Sequence, residues 1–114
     1  MEMMKFKSDF GVDTTVVFKK ATYLNNGNLY VGAYSIDENG YLEPYCNITV
    51  NLDEKLAEGM AYIDCNNADT GLLQAMVDAG YMRFMSKSKA SGFCKYFLFG
   101  FSEEFLCGVE ELKR

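Results

Sequence analysis

The chain has 114 residues, of which 49% are hydrophobic and 15% aromatic, and it carries a net charge of −5 with no histidine. This length suits one domain, and the apolar content is enough to bury a core, which excludes a disordered chain. The lack of histidine removes Ser-His-Asp and Cys-His nucleophile systems and the usual general base. The sequence also has no phosphate-binding glycine loop and no dinucleotide fingerprint. We therefore expect a protein that is not an enzyme and binds no cofactor.

The first half of the chain predicts antiparallel hairpins. Strands are expected at 4–10, 14–24, 29–36 and 41–52, because asparagine- and glycine-rich turns at 25–28 and 37–40 separate runs of β-branched and aromatic residues. Apolar and polar residues alternate from 45 to 52, which predicts one continuous strand with one buried face. Pro44 interrupts this strand at a place where no ladder N–H is needed.

The middle of the chain predicts a strand at 60–65 that leads into the main helix, at about 67–79. Asn66 or Asn67 is the expected N-cap, and Gly80 suits the left-handed residue that ends a helix. Four apolar residues repeat at the spacing of one helical stripe: Leu72, Leu73, Met76 and Val77.

After this helix the sequence predicts an aromatic, basic hairpin. Residues 81–85 read as a strand or extended arm, 86–92 as a flexible basic loop, and 93–101 as a central strand that is apolar on both faces. Ser102 is expected to cap a short helix, and the tail from 110 to 114 is expected to fray. The predicted fold is α+β, with an antiparallel sheet of five or six strands and the main helix packed on one face.

The cysteines are Cys46, Cys65, Cys94 and Cys107, and none of them forms a C-x-x-C pair. A zinc site would therefore need all four thiolates brought together in space, so we expect no metal. The first residues show no apolar run of the signal-peptide kind, and no run approaches the ~18 residues of a membrane span. We expect reduced thiols in the cytoplasm of a bacterial host. Disulfides in an exported protein, or catalysis by Cys65 or Cys94, are the alternatives.

Charge is distributed unevenly along the chain. From residue 37 to 78 there are nine acidic residues and one lysine, whereas from 79 to 102 there are four basic residues and no acidic ones. This pattern predicts an acidic edge that binds a basic protein surface, because an acidic chain repels the phosphates of nucleic acids. The expected members of this edge are Asp37, Glu38, Glu43, Asp53, Glu54, Glu58 and Asp64.

The aromatic hairpin at 81–99 offers a second interpretation. Bases stack on aromatic rings while lysines contact phosphates, so the hairpin could bind single-stranded nucleic acid. The candidate residues are Arg83, Lys87, Lys89, Lys95 and Tyr96. If part of the 93–101 strand is exposed, it becomes an interface, and a homodimer is expected there.

Four patches of sequence carry a family resemblance. They are Asn-Gly-Asn-Leu at 26–29, Ile-Thr-Val-Asn-Leu at 48–52, Ala-Tyr-Ile-Asp-Cys-Asn-Asn at 61–67 and Ser-Gly-Phe-Cys-Lys-Tyr at 91–96. Together they resemble a group of small, uncharacterised proteins carried on conjugative and phage-like mobile elements of Gram-positive bacteria. The resemblance implies an accessory protein without known catalytic residues. Small acidic proteins of such elements are often inhibitors of host defence, including anti-CRISPR proteins that block Cas9-type nucleases.

The resemblance and the charge pattern together predict a stoichiometric inhibitor. Its acidic edge would occupy the guide- or DNA-binding groove of a nucleic-acid-dependent defence protein and deny that groove to the nucleic acid.

Overall fold

The computed structural model describes residues 3–112. The strands and helices in this range are β1 Met3–Lys7, β2 Asp13–Thr22, β3 Leu29–Ile36, β4 Leu42–Asn47, β5 Thr49–Val50, β6 Met60–Ile63, α1 Thr70–Asp78, β7 Met82–Ser91, β8 Cys94–Phe101, α2 Glu103–Gly108 and β9 Glu110–Glu111. The predicted α+β class and its one main helix are confirmed. Neither helix in this range is long and apolar enough to cross a membrane.

The strands form two sheets rather than the single sheet of five or six strands that the sequence predicted. One sheet has the order β1-β2-β3-β4, with β9 added in parallel beside β2, and the other has the order β5-β6-β8-β7. The neighbours in both sheets are otherwise antiparallel. The predicted central position of the 93–101 strand is confirmed, because β8 lies between β6 and β7.

The chain passes from one sheet to the other at Ile48, so the predicted continuous strand at 41–52 is wrong. The N–H of Ile48 donates to Val31 in β3, while its carbonyl accepts from the N–H of Asp64 beyond β6. Its side chain is fully buried. This one residue therefore joins the two sheets and separates β4 from β5.

Helix α1 begins at Thr70, three residues later than predicted, and its N-cap is Asp69 rather than Asn66 or Asn67. The side chain of Asp69 accepts from the N–H groups of Gly71 and Leu72, at 2.9 and 3.3 Å. Asn67 instead donates its side-chain amide to Asp64 within the turn before the helix. A carboxylate at this position accepts from the free N–H groups and also complements the helix dipole.

The helix ends as the sequence predicted. Gly80 has a φ of 77°, its N–H donates to Val77, and the N–H of Tyr81 donates to Met76. These two bonds are the pair that characterises a Schellman motif, in which a left-handed residue ends the helix.

The apolar stripe of α1 covers a core to which both sheets contribute. Leu72 and Met76 are fully buried in it, together with Phe18 of the first sheet, Ile63 of the second and Phe105 of α2. A smaller cluster of Leu52, Tyr62 and Leu98 lies apart from this core. The second sheet is therefore apolar on both faces, as predicted for 93–101.

Two predictions about irregular segments are wrong. Most of the expected flexible loop at 86–92 is the second half of β7, which continues past a bulge between Phe84 and Ser88 where Ser86 has a φ of 59°. The tail does not fray at 110–112, since β9 pairs with β2 and Glu110 forms an ion pair of 2.6 Å with Lys19. Residues 113 and 114 lie outside the described residues.

Candidate partner-binding surfaces

The predicted acidic edge lies in two regions rather than one. Asp37, Glu38 and Glu43 belong to the β3–β4 hairpin, whereas Asp53, Glu54 and Glu58 belong to the segment between β5 and β6. That segment is hydrogen-bonded to the turn before β3, so the two groups lie at opposite ends of this strand. An eight-residue strand at 3.3 Å per residue separates them by about 23 Å.

The first region, which we call the acidic hairpin, consists of residues 36–44. One carboxylate oxygen of Asp37 accepts from the N–H groups of Asn39 and Tyr41, at 2.8 and 2.9 Å, and this fixes the turn. Tyr41 lies near the centre of this hairpin and is 70% exposed. Ile36 and Leu42, on either side of the turn, are exposed as well. The acidic hairpin therefore presents apolar side chains between carboxylates.

No carboxylate of the acidic hairpin forms an ion pair within residues 3–112. The ion pairs in that range join Lys19 to Glu110, and Lys87 and Lys89 to Glu54. The charges of Asp37, Glu38 and Glu43 are therefore not matched by a cation of the described part of the chain, and they can face a basic partner.

Glu54 is used differently, because it joins the predicted acidic edge to the predicted basic hairpin. Its carboxylate accepts from Lys87 at 2.8 Å, from Lys89 at 3.1 Å and from the hydroxyl of Tyr62 at 3.3 Å. Hydrogen bonds from Lys87 and then Lys89 lower the pKa of Glu54 to about 2. The two charged regions thus meet here, and the structure uses three predicted binding residues to hold the segment 51–59 on β7.

Asp64 and the N-terminus of α1 are also occupied by contacts within the chain. Asp64 accepts from the amide of Asn67 at 3.1 Å. Asp9, which the sequence did not single out, accepts from the N–H groups of Thr70 and Gly71 at 3.0 and 3.1 Å. Hydrogen bonds from Thr70 lower the pKa of Asp9. The first-turn N–H groups of the helix therefore already have carboxylate partners.

The asparagines of the resemblance patches form a network that fixes two turns together. The side chain of Asn28 is 5% exposed; it donates to Asn51 and to the carbonyl of Glu54, and it accepts from the N–H of Leu56. Asn51 also accepts from Asn26. These motif residues position the segment 51–59 against the β2–β3 turn, which is a role in the fold.

The hairpin of β7 and β8 exposes aromatic rings on one face. Phe84 contacts Phe97 edge to face, with ring centroids 5.8 Å apart, and the centroid of Phe99 is also 5.8 Å from that of Phe84. The ammonium of Lys95 lies 5.9 Å from the centroid of Phe97. Tyr96 packs with the smaller apolar cluster instead. Of the five candidate nucleic-acid contacts, Lys95 is the one placed on this aromatic face by a direct contact.

All four cysteines are free thiols. Burial raises the pKa of Cys65 and of Cys46, which opposes the thiolate form that a nucleophile needs. Within residues 3–112, no group of three or more cysteine, aspartate or glutamate side chains is placed to hold a metal ion.

These features define a small α+β domain with an acidic hairpin on one sheet and an aromatic face on the other. A family model described as a domain of unknown function, DUF4313, matches residues 17–113, and the chain belongs to this family. The match runs from β2 through β9, so it includes both surfaces and the asparagine network. No curated protein and no solved structure matches the chain.

Proposed function

We propose that this protein is a stoichiometric inhibitor that binds a basic protein surface through the acidic hairpin. The observation that carries the proposal is the exposed Tyr41, flanked by apolar neighbours and by the carboxylates of Asp37, Glu38 and Glu43, which form no ion pair with any residue from 3 to 112. Binding energy at protein interfaces is concentrated in central aromatic anchors, while surrounding charges set orientation and the association rate.

The partner that this chemistry fits is a host protein that handles nucleic acid. Carboxylates in a lysine- and arginine-rich groove take the place of phosphates, so the hairpin would exclude a guide RNA or a DNA strand by competition. The resemblance of four sequence patches to mobile-element proteins supports a defence system as the target. A Cas9-type nuclease of a Gram-positive host is therefore the partner to test first.

The acidic hairpin is a better candidate than the segment 51–59. Glu54 would have to leave two lysines and a tyrosine hydroxyl before it could bind a partner. Asp53 and Glu58 remain exposed, but they lie about 23 Å from the acidic hairpin, along the length of β3. Their contribution is long-range attraction, which salt screens.

Cleavage of a matched DNA by a Cas9-type nuclease, to which the guide is added after the inhibitor, tests the proposal. Wild-type protein, added before the guide, should inhibit with a 1:1 endpoint. The variant Asp37→Lys, Glu38→Lys, Glu43→Lys should lose inhibition. A control variant with Asp53→Lys, Glu58→Lys, Glu104→Lys should retain most of it.

Comparison of the two variants separates the effect of the hairpin residues on inhibition from the effect of net charge. Each substitution adds two units of charge, so both proteins change from −5 to +1. Equal inhibition by the two variants, or undiminished inhibition by the hairpin variant, would show that the acidic hairpin is not the binding surface.

One observation favours a second candidate, a single-stranded nucleic-acid-binding accessory protein. Phe84 and Phe97 are exposed, and Lys95 lies beside them. Lys87 and Lys89 weaken this candidate because Glu54 already binds both. Fluorescence anisotropy with a labelled single strand at low salt, where phosphate attraction is strongest, decides the matter.

A further inference from the structure

The aromatic face of the β7–β8 hairpin lacks a covering element within residues 3–112. Phe84 is 51% exposed, Phe97 is 37% exposed, and Phe93 at the tip of the hairpin is fully exposed. Two of these rings already contact each other edge to face. An exposed cluster of this kind marks an interaction surface more often than isolated apolar residues do.

A groove lies beside this face, between helix α1 and the second sheet. It has a volume of about 240 Å³, and its apolar walls include Ile63, Leu73, Val77 and Phe99. Leu72 and Met76 point into the core, so Leu73 and Val77 form the flank of the same helix that remains open. An apolar cavity of about 150 Å³ accommodates benzene, so the groove is large enough for a phenyl ring.

Phe93 is the ring that this groove can receive, but only from another molecule. It follows Gly92, whose φ of 63° forms the tight two-residue turn between β7 and β8, and the turn directs Phe93 into solvent. Phe99, which lines the groove, is six residues further along the strand, or about 20 Å at 3.3 Å per residue. The ring cannot reach the groove of its own chain over that distance.

We propose that two copies of this chain pair through a twofold axis, with Phe93 of each copy inserted into the groove of the other. In a twofold interface each copy must supply both complementary parts, and this chain has both an exposed ring and an apolar groove. Phe97 lies between them along β8 and would meet its counterpart near the axis, whereas Phe84 pairs with Phe99 and would lie beside the inserted ring of the other copy.

The exposed area agrees with a second copy as the occupant. The exposed fractions of Phe84, Phe93 and Phe97 together amount to about two whole phenylalanine residues. At about 150–250 Å² per aromatic residue, each copy buries about 300–500 Å² of aromatic surface, and the pair about 600–1,000 Å². Specific interfaces bury about 1,200–2,000 Å² in total, so the rings alone supply about half of one.

Charge also agrees with pairing through this face. No acidic residue occurs between 79 and 102, so the two β7–β8 hairpins bring no opposing carboxylates together although each chain carries −5.

Sedimentation velocity over a concentration series tests the pairing. Wild-type protein should show a monomer–dimer equilibrium, and added salt should strengthen the dimer or leave it unchanged, because it screens the repulsion between two acidic chains. Phe93→Ser and Val77→Glu should each weaken the dimer by about tenfold to a hundredfold. Phe10→Ser removes a similarly exposed ring from the β1–β2 loop and should have no effect.

The proposal is overturned by a wild-type monomer at every concentration, or by a Phe93→Ser variant that dimerises as well as Phe10→Ser. A monomer whose aromatic face binds a single-stranded oligonucleotide also overturns it. Because Phe93 is fully exposed, its replacement should leave the circular dichroism spectrum unchanged, and Val77→Glu tests the groove independently. The inhibitor proposal rests on the other sheet and is judged by cleavage, so either proposal can fail alone.

Discussion

Removing the Asn28 side chain should detach the segment 51–59 from the β2–β3 turn. This side chain makes three hydrogen bonds in a buried setting: to Asn51 at 3.3 Å, to the carbonyl of Glu54 at 2.7 Å and from the N–H of Leu56 at 2.9 Å. Each contributes about 0.5–1.5 kcal/mol, and a buried group left without a partner costs about 1–3 kcal/mol. We therefore expect Asn28→Ala to lower the free energy of unfolding by about 3 kcal/mol.

Urea denaturation, with circular dichroism as readout, gives this free energy, and hydrogen exchange at the Leu56 amide reports the local effect. The exchange of that amide should become faster than that of amides in β3, because it loses its acceptor. Asn39→Ala is the matched control, since Asn39 is exposed in the other hairpin turn. A loss below about 0.5 kcal/mol, equal to that of the control, would refute the view that the asparagine network fixes this segment.

The remaining predictions concern packing, pH and thiol chemistry. A Cβ on Gly71 would collide with the backbone carbonyl oxygen of Lys7, so Gly71→Ala should lower the free energy of unfolding by about 1–3 kcal/mol. Thermal unfolding measures this loss, and an unchanged Tm would contradict the contact. The Glu54 carboxyl has its pKa lowered from 4.5 to about 2, so its stabilising effect is present above about pH 4.5 and is lost as the pH falls through 2. The Tm difference between wild type and Glu54→Gln should therefore shrink over that interval, and a constant difference would count against the ion pairs. Since burial raises the pKa of Cys65, this thiol should react with a disulfide reagent more slowly than the exposed Cys107, and faster labelling of Cys65 would reopen a catalytic interpretation.

Local signals predicted several elements well. Strand β3 spans 29–36 as predicted, because an Asn-Gly turn precedes it and an Asp-Glu-Asn-Gly turn follows it. Leu72 and Met76 face the core, and Gly80 ends the helix, since both depend on spacing or conformation within one element. The α+β class follows from these elements together.

Contacts between distant segments could not be predicted in the same way. The alternation of apolar and polar residues along 41–52 does not reveal that the chain passes from one sheet to the other at Ile48. Asp9 caps a helix that begins 61 residues later, and no local pattern connects the two. The distribution of charge along the chain places Glu54 in an acidic edge, whereas in space this carboxylate forms ion pairs with Lys87 and Lys89.

The measurement that tests the central claim most directly is calorimetric titration of this protein into a guide-free Cas9-type nuclease at two salt concentrations. The inhibitor proposal predicts a 1:1 complex that weakens with salt, is abolished by reversing Asp37, Glu38 and Glu43, and survives reversal of Asp53, Glu58 and Glu104. No binding by the wild type, or equal binding by the two reversed variants, would contradict the assignment of partner recognition to the acidic hairpin.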